Sequence, residues 1–325
     1  MDKKISIIIP VYNAQKTIAK CLNSILGNSF YDYEILLIND GSSDGSQKIL
    51  ESYLDKFPDK IRVFEQENQG VAKARNLGIL LSQGEYIVFI DNDDFIDKEY
   101  LKIFAEAISA GDLDLVLGGY RRTTLEKVLY EMRLASTEWS KYMIMAPWAK
   151  IYKKDFLVKN KIEFLDNNIG EDVYFNLLAV NLSDKISIIN YCGYNWFYNL
   201  QSVSNAKQKE MKNNLNVKKL LEASHGRLLE MGVSNKKEVE FYFIRYIIWY
   251  LLYTGRKSAY HQVSQEFGSL FNWLKVKYPK FEKNYGISLF SPEGETLRNR
   301  LIVYIFMGLY RLRLIRLFFR GYAVF

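Results

Sequence analysis

Three carboxylates follow an apolar run in the segment Ile87–Asp94, which reads Ile-Val-Phe-Ile-Asp-Asn-Asp-Asp. The apolar residues predict a buried strand that ends at the edge of a sheet, where it presents Asp91, Asp93 and Asp94. Carboxylates so close together repel one another, which costs free energy unless a cation neutralises them. The segment therefore indicates either a divalent metal that carries phosphates or a solvated acidic turn in which Asp94 or Asp97 caps the next helix.

Short apolar runs and helical patterns alternate around this segment. The runs predict strands at residues 5–11, 33–39, 61–64 and 85–90. Apolar residues at helical spacing predict helices at residues 14–26, 43–54 and 72–81. This alternation is typical of a parallel sheet with helices on both faces, in which ligands bind outside the carboxyl ends of the strands. Three segments that could do chemistry fall there: Pro10–Asn13, Asn39–Asp44 and Asp91–Asp94.

The composition excludes several classes of protein. The 325 residues are 49% hydrophobic and 15% aromatic, which is enough for one large or two modest domains with cores. The two cysteines, Cys21 and Cys192, lie far apart without nearby histidines, so neither a disulfide framework nor a zinc site is expected. No stretch resembles a signal peptide or reaches the roughly 18 apolar residues of a membrane-spanning helix. We therefore expect a cytoplasmic chain.

The net charge of +7 divides unevenly along the chain. From residue 206 onward, 21 Lys and Arg stand against nine Glu and no Asp, which gives +12, whereas residues 1–205 carry −5. A basic region of this kind can bind nucleic acid, anionic lipid head groups or a phosphate-bearing acceptor. No nucleic-acid-binding motif accompanies it, so we expect no nucleic-acid partner.

Four motifs in the first 100 residues resemble, in order and spacing, those of the GT-A glycosyltransferases of family 2. They are Pro10-Val-Tyr-Asn, Asn39-Asp-Gly-Ser-Ser-Asp-Gly, Asn68-Gln-Gly-Val-Ala-Lys-Ala-Arg-Asn and Asp91-Asn-Asp-Asp. Two later segments resemble the acceptor-side motifs of bacterial polysaccharide members: Ala146-Pro-Trp-Ala-Lys-Ile-Tyr and Ile169-Gly-Glu-Asp-Val-Tyr-Phe. The resemblance covers roughly residues 3–200. It implies an α/β GT-A fold, a Rossmann-like nucleotide-binding sheet with flanking helices, followed by a mostly helical C-terminal region.

The resemblance also implies how the chain is divided and what it does. We expect a catalytic domain at residues 1–205, with the nucleotide-sugar half at about 1–95 and the acceptor half at about 96–205, and a basic helical region at 206–325. The implied activity is inverting transfer of a sugar from a nucleotide-sugar to a hydroxyl of a cell-surface glycan or lipid-linked acceptor, with Mn²⁺ or Mg²⁺ as cofactor. We expect the nucleotide-sugar to be UDP-linked. The alternatives are an inactive membrane-associated scaffold of the same fold and a sugar nucleotidyltransferase. The latter would carry a glycine- and arginine-rich phosphate loop where Pro10-Val-Tyr-Asn-Ala stands.

Residues of the first four motifs are assigned donor-side roles by the resemblance. Asp40 would accept from the N3–H of uracil, and Tyr12 would either stack on the base or pack at the rim of the site. Asp93 would bind the metal, and Asp91 would contact the ribose or support the metal. Asp44 is more simply interpreted as a cap of the following helix. The full donor-binding set is Pro10, Tyr12, Asp40, Arg75, Asp91 and Asn92.

Residues of the later motifs are assigned to the acceptor side. Asp172 matches the aspartate that deprotonates the acceptor hydroxyl, as an inverting transfer requires. Glu171 would bind sugar hydroxyls, with helix capping as the alternative. Trp148 and Lys150 would bind the acceptor, although core packing is an equal alternative for Trp148.

The C-terminal region predicts packed helices at residues 207–231 and 239–253. The tail at residues 297–325 interleaves arginines with Leu, Ile and Phe. This pattern suits a helix that lies on an anionic membrane beside a lipid-linked acceptor, which would make the chain peripheral on the inner face of the cell membrane. A terminal helix docked on the domain, or one that forms a homodimer, remains the alternative.

Overall fold

The structure, a computed structural model, describes residues 4–198, 211 and 216–323. The chain divides into two compact units. Unit 1 comprises Met1–Ser136 and Ile144–Asn199, and unit 2 comprises Thr137–Met143 and Leu200–Phe325. Residues 207–210 and 212–215 of the predicted helix at 207–231 lie outside the described residues.

The first part of unit 1 alternates strands and helices, as the sequence predicts. The strands are β1 (Ile5–Val11), β2 (Tyr33–Asp40), β3 (Ile61–Gln66) and β4 (Tyr86–Phe89). The helices are α1 (Ile18–Leu26), α2 (Ser46–Lys56) and α3 (Val71–Leu81). Both α1 and α2 begin later than predicted, because the first residues of each predicted helix form the polar loops that follow β1 and β2.

The second part of unit 1 contains five strands and three helices within the described residues. The strands are β5 (Phe95–Ile96), β6 (Leu115–Thr123), β7 (Val128–Met132), β8 (Lys150–Lys153) and β9 (Ile186–Phe197). The helices are α4 (Tyr100–Ser109), α5 (Lys154–Lys159) and α6 (Glu171–Asn181).

One sheet joins the nine strands that the described residues form, in the order β3-β2-β1-β4-β8-β6-β9-β5, with β7 paired to β6. The first four strands are parallel, as predicted. No strand was predicted beyond β4, and there the sheet is mixed, because β8 is antiparallel to both β4 and β6, and β5 is antiparallel to β9. A parallel crossover needs about a dozen residues or more, and the segments that lead into β5 and β7 are far shorter. Since β6 and β9 are parallel to each other, both end at the same edge of the sheet as β4.

The centre of the sheet is closed to solvent on both faces. Every residue of β1 and β2 is buried, which explains why these strands read as continuous runs of Ile, Leu and Val. Burying each such side chain contributes about 1.5–3 kcal/mol. Helix α3 approaches β1 at Gly78, where an added Cβ would lie 2.4 Å from the Ile8 Cγ2 atom. The close approach fixes the helix, and with it Arg75, against the sheet.

Unit 2 is helical in its described part. Its α-helices are α7 (Val217–Glu230), α8 (Lys237–Gly255), α9 (Tyr260–Lys277), α10 (Leu297–Arg311) and α11 (Ile315–Tyr322), and 3₁₀ helices span Glu138–Tyr142 and Phe281–Lys283. The predicted tail helix is therefore two helices, separated at Arg313, whose φ is +61°. No helix among the described residues has the length and apolar character needed to cross a membrane.

The 3₁₀ segment Glu138–Tyr142 supplies two large side chains to the core of unit 2. The Trp139 ring stacks on Tyr142 with a centroid distance of 5.1 Å and packs on Phe241 at 4.8 Å. The Trp139 Nε1 atom donates to Glu295 at 3.1 Å, and Glu295 also pairs with Arg245 at 2.6 Å. A fully buried carboxylate thus receives the partners that its burial requires.

Candidate active site

The loops that follow β1 and β2 are joined by hydrogen bonds between side chains and backbone. The Asn13 Oδ1 atom accepts from the Ser43 backbone N at 2.8 Å, and the Asn13 backbone N donates to the Ser42 Oγ at 3.0 Å. Asn13 holds a left-handed backbone with φ of +48°, which asparagine tolerates better than most residues. These bonds make one rim from two loops that are about 30 residues apart in sequence.

Asp44 stabilises the start of α2, as its predicted capping role requires. Its carboxylate accepts from the backbone N of Ser46 at 2.9 Å and from the backbone N of Gln15 at 3.1 Å. Burial raises the pKa of Asp44, but the bonds from Ser46 and Gln15 outweigh this and hold the pKa below its ordinary value. The N-cap position itself is Gly45, so Asp44 acts from one residue earlier than a conventional cap.

Asp40, the last residue of β2, holds the chain that leads into α3. Its Oδ1 atom accepts from the Gln66 side chain at 2.7 Å and from the Gln69 backbone N at 2.8 Å, and its Oδ2 atom accepts from the Gly70 backbone N at 2.8 Å. A carboxylate offers about four acceptor positions, so about one is left for a ligand such as a base N–H. Gly41 permits the close packing, because its φ is +67° and an added Cβ would lie 2.8 Å from the Asn68 N.

Arg75 joins two acids that are 81 residues apart in the chain, Asp91 and Asp172. One terminal nitrogen lies 2.7 Å from the Asp91 Oδ1 atom, and the other lies 2.6 Å from the Asp172 Oδ1 atom. The guanidinium is buried, with 4% of the side chain exposed, and its carbon lies 5.2 Å from the centroid of the Phe164 ring. Burial lowers the pKa of Arg75, but the carboxylates of Asp172 and Asp91 more than compensate and raise it above the ordinary value. The fork therefore stays charged and fixes both carboxylates.

Asp172 lies in the first turn of α6, where the helix dipole favours a negative charge. Gly170 precedes the turn in the left-handed region, with φ of +75°. Burial raises the pKa of Asp172 above its ordinary value, and the Arg75 guanidinium opposes this while Glu171 and Asp91 add to it. A carboxylate whose pKa lies closer to neutrality is a better general base than an ordinary aspartate.

The three acids that follow β4 are in three different environments. Asp91 is bound by Arg75, as described above. Asp94 is buried, and its carboxylate accepts from the Tyr194 hydroxyl at 2.6 Å and the Phe197 backbone N at 2.8 Å. Burial, followed by the charges of Asp93 and Asp91, raises the pKa of Asp94. The interpretation of Asp94 as a helix cap is therefore wrong, because this carboxylate holds the acidic loop to β9.

Asp93, the predicted metal ligand, is partly exposed, in contrast to the buried Asp94. Within the described ranges no group of three or more His, Cys, Asp or Glu side chains is arranged to hold a metal ion. Mg²⁺ is commonly bound through one or two carboxylates together with substrate phosphates, without a complete protein cage. The hard carboxylate oxygens at this loop fit Mg²⁺ or Mn²⁺ on those terms, with donor phosphates as the other ligands.

Four consecutive backbone carbonyls, at residues 144–147, are held by three buried polar side chains. The Lys150 Nζ atom donates to the carbonyls of residues 144 and 146 at 2.8 and 2.6 Å. Asn176 donates to the carbonyl of residue 145 at 2.7 Å, and the Tyr152 hydroxyl lies 3.1 Å from the carbonyl oxygen of residue 147. Burial lowers the pKa of Lys150 to about 7, against the effect of Asp172. An acceptor role for Lys150 stays a prediction; its observed contacts support this loop.

Trp148 packs within a layer of aromatic side chains. Its ring stacks on Tyr194 at a centroid distance of 4.7 Å, with 5° between the planes, and contacts Tyr120 and Trp196 edge-on or tilted. Only 7% of Trp148 is exposed. Because Tyr194 donates to Asp94, the stacked indole supports the acidic loop through that ring. Binding of an acceptor by Trp148 stays a prediction.

The other predicted residues lie at the same edge of the sheet. Pro10 is buried, and its carbonyl accepts from the Asn92 side chain at 2.8 Å, which ties β1 to the acidic loop. Tyr12 is half-exposed and could present a ring face to a base. Glu171 is partly exposed beside Asp172 in the first turn of α6.

Several residues that shape this edge were not predicted. Tyr194 contacts the acidic loop at two points, because its hydroxyl oxygen also accepts a hydrogen bond from the Asp91 backbone N at 3.2 Å. Asn176 accepts from Tyr152 at 2.7 Å and lies one helical turn after Asp172. The spacing of four between Asp172 and Asn176 on one helix face was a usable signal. Nothing in the local sequence around Tyr194 indicates its partners.

Comparisons with known proteins show which family the chain resembles. The family described as Glycosyl transferase family 2 matches residues 6–167. Glycosyltransferase GlyA of Streptococcus pneumoniae is 30% identical over 210 residues, which cover 58% of this chain and 30% of that protein. The poly(ribitol-phosphate) beta-N-acetylglucosaminyltransferase TarS of Staphylococcus aureus is 30% identical over 207 residues, which cover 59% of this chain and 35% of TarS. The match thus spans about a third of each of these two relatives.

Solved structures show the same fold. The crystal structure of S. aureus TarS 1-349 in complex with UDP-GlcNAc superposes with a TM-score of 0.72 at 21% identity, and the match covers 95% of this chain and 92% of that one. The corresponding complex with UDP gives a TM-score of 0.68 at 20% identity. The mixed sheet of unit 1 is therefore a GT-A fold, and the chain belongs to glycosyl transferase family 2.

Proposed function

We propose that this chain transfers a sugar from a UDP-linked donor, with inversion, to a hydroxyl of a cell-surface glycan or a lipid-linked acceptor. The observation that carries the proposal is the Arg75 fork, which binds Asp91 and Asp172 at once at the carboxyl edge of the sheet. It links a residue of the donor-side acidic loop to the candidate base. TarS, which has the same fold, has been crystallised with UDP and with UDP-GlcNAc, which supports a uridine nucleotide.

The donor would lie across the loops that follow β1, β2 and β4. The remaining acceptor position of Asp40 would take the N3–H of uracil, and the exposed Tyr12 ring would lie against the base. Pro10, Asn92 and Asp91 would line the ribose and diphosphate, since the Asn92–Pro10 hydrogen bond holds these two segments together. Arg75 would set the position of Asp91 in this site.

A divalent metal, Mn²⁺ or Mg²⁺, would be held by Asp93 and the donor phosphates, and it would neutralise charge on the departing diphosphate. The protein itself binds Asp91 through Arg75 and Asp94 through Tyr194 of β9. These contacts offset the repulsion among the three carboxylates.

Asp172 would take the proton of the acceptor hydroxyl as that oxygen attacks the sugar. Arg75 holds one of its oxygens, and the raised pKa of the carboxyl favours proton uptake near neutral pH. Glu171, partly exposed beside it, would bind sugar hydroxyls. Trp148 and Lys150 would act on the acceptor side, mainly through the loop and aromatic layer that they support.

Calorimetric binding of UDP, GDP and CDP, each with and without manganese, tests the donor part of the proposal. We expect UDP alone to bind, with affinity that depends on the metal. Absence of nucleotide binding under all conditions would favour an inactive scaffold. Incubation with UTP and a sugar phosphate checks the nucleotidyltransferase alternative, which requires release of pyrophosphate.

The two C-terminal helices of unit 2, α10 and α11, have a surface that suits peripheral binding to an anionic membrane. Exposed leucines on and between α10 and α11, among them Leu312 and Leu317, alternate with exposed arginines such as Arg313 and Arg316. Apolar side chains beside guanidinium groups match the interface of an anionic bilayer. Co-sedimentation with phosphatidylglycerol vesicles should retain the chain, and neutral phosphatidylcholine vesicles should not. Equal behaviour with both lipids, together with a dimeric mass in solution, would instead assign this face to a homodimer.

A further inference from the structure

Arg122, near the end of β6, is a buried cation that the proposed reaction does not use. Its exposure is 4%, and its Nη1 atom has no hydrogen-bond partner among the described residues. Arg75, also buried, has two carboxylates. Burial lowers the pKa of Arg122, because the nearby charges that would raise it do not outweigh the loss of hydration.

The guanidinium of Arg122 lies in a pocket of aromatic rings. Its carbon is 3.5 Å from the centroid of the Trp196 ring and 5.2 Å from that of Tyr198. In the sheet, Arg122 is paired with Trp196 on β9 and with Tyr130 on β7. Stacking on indole stabilises the cation, but it provides no acceptor for the N–H groups in the plane of the guanidinium.

The nearby acids are not hydrogen-bond acceptors for the Nη1 atom of Arg122. Asp94 is close enough to influence the pKa of Arg122, but its two oxygens accept from Tyr194 and Phe197. Asp93 has a weaker influence and belongs to the proposed metal site. A buried guanidinium with unused donors is costly unless a ligand supplies the acceptor oxygens.

The position of Arg122 indicates which ligand this is. Strands β6 and β9 end at the same edge of the sheet as β4, so Arg122 and Trp196 are at the edge that carries the acidic loop. They belong to the second part of unit 1, where Trp196 is part of the aromatic layer around Trp148. Tyr130 and Tyr198 are 47% and 41% exposed, so two of the residues beside the guanidinium face solvent.

We propose that Arg122 and the Trp196 ring form a subsite for an oxyanion carried by the acceptor, a phosphate or a carboxylate next to the sugar or polyol that is glycosylated. The two N–H groups of the Nη1 atom can donate to oxygens of either group, and the Trp196 ring covers one face of the guanidinium. The inference rests on the proposed function, because it takes the adjacent acidic loop to be the donor site.

Titration of the full chain with inorganic phosphate, followed by tryptophan fluorescence, tests the subsite. Saturating UDP and Mg²⁺ are present throughout, so that added phosphate cannot bind at the site of the donor diphosphate and change the fluorescence from there. We expect a saturable response, at least tenfold weaker in Arg122→Gln and intermediate in Arg122→Lys. The matched control is Arg133→Gln, which removes an exposed arginine paired with Glu131 and should leave the response unchanged.

The outcomes separate the subsite from the donor site. UDP binding without a saturable response to either phosphate or acetate, or with equal midpoints in the wild type and Arg122→Gln, would overturn the subsite and leave the proposed function intact. Loss of UDP binding in the wild type would instead overturn the proposed function. If Arg122→Gln does not fold, Arg122→Lys decides, and an unchanged midpoint in it counts against the subsite. A parallel titration with acetate distinguishes the source, since a subsite for carboxylate saturates with acetate and one for phosphate does not.

Discussion

The donor and acceptor sides of the candidate site are built from different kinds of contact. On the donor side, backbone N–H groups of the loops bind the side chains of Asn13, Asp40 and Asp44. On the acceptor side, buried charged side chains bind one another or backbone carbonyls, as Arg75 and Lys150 do. On our proposal, the first arrangement shapes the surface for the donor nucleotide, and the second positions the candidate base, Asp172. Changes on the two sides should therefore fail in different ways.

The largest effect is expected from Asp172→Asn, which removes the base and keeps the shape of the side chain. Transfer should fall by about 10²–10⁴-fold, the usual contribution of a general base. UDP affinity should stay within twofold or so, because the donor loops do not change. Turnover and calorimetry on the same preparation measure both quantities, with the exposed Asp155→Asn as control. A large loss of UDP affinity would contradict the separation of the two sides.

Asp93→Ala should damage the donor side instead. Outer residues of metal sites already cost about 10–100-fold in metal affinity, so removal of a direct ligand should cost at least about 100-fold. We expect UDP binding to lose its dependence on manganese. If Asp93→Ala binds UDP with the wild-type metal dependence, the metal is held elsewhere.

The pH profile of kcat/KM should report the carboxyl of Asp172. Because the deprotonated form is the active one and burial raises its pKa, activity should fall as the pH decreases, beginning above the range of an ordinary aspartate. Arg75 opposes the rise, so Arg75→Gln should move this acid limb to still higher pH. A limb that stays in place in Arg75→Gln would show that the fork does not tune the base.

Lys150→Met tests whether the acceptor-side loop depends on a buried cation. The substitution keeps the volume but leaves the carbonyls of residues 144 and 146 without a donor, and each such loss costs about 1–3 kcal/mol. We expect a lower Tm, measured by calorimetry, and reduced turnover with normal UDP affinity. Lys153→Met, which removes an exposed partner of Asp112, should change the Tm little. Loss of acceptor binding at an unchanged Tm would return Lys150 to direct contact with the acceptor.

The smallest effect is expected from Asp44→Ala on the donor side. Loss of an acceptor at the start of a helix typically costs about 1 kcal/mol. Urea denaturation should show this decrease. A decrease above about 3 kcal/mol would mean that the loops after β1 and β2 depend on one bond far more than the capping interpretation predicts.

The sequence predicted the two sides unequally for a physical reason. Strands β1, β2 and β4 are buried on both faces, and the donor motifs follow them directly, so hydrophobic runs and short motifs located them. On the acceptor side, the bonds from Arg75 to Asp172 and from Tyr194 to Asp94 join residues nearly 100 positions apart. No local pattern encodes such a pair, and for the same reason the antiparallel pairing of β8 with β4 was not foreseen.

The excursion of residues 137–143 into unit 2 limits how the chain can be divided. The backbone passes from one unit to the other three times, after Ser136, Met143 and Asn199, so no single cut separates them. Ending the chain at residue 199 would strip Trp139 and Tyr142 of Phe241 and Tyr242, which pack on them. A shortened enzyme would carry exposed aromatic rings in the middle of its catalytic sequence. Recombination at a single point in the chain therefore cannot exchange the helical unit for another domain. We expect the two units to be gained and lost together.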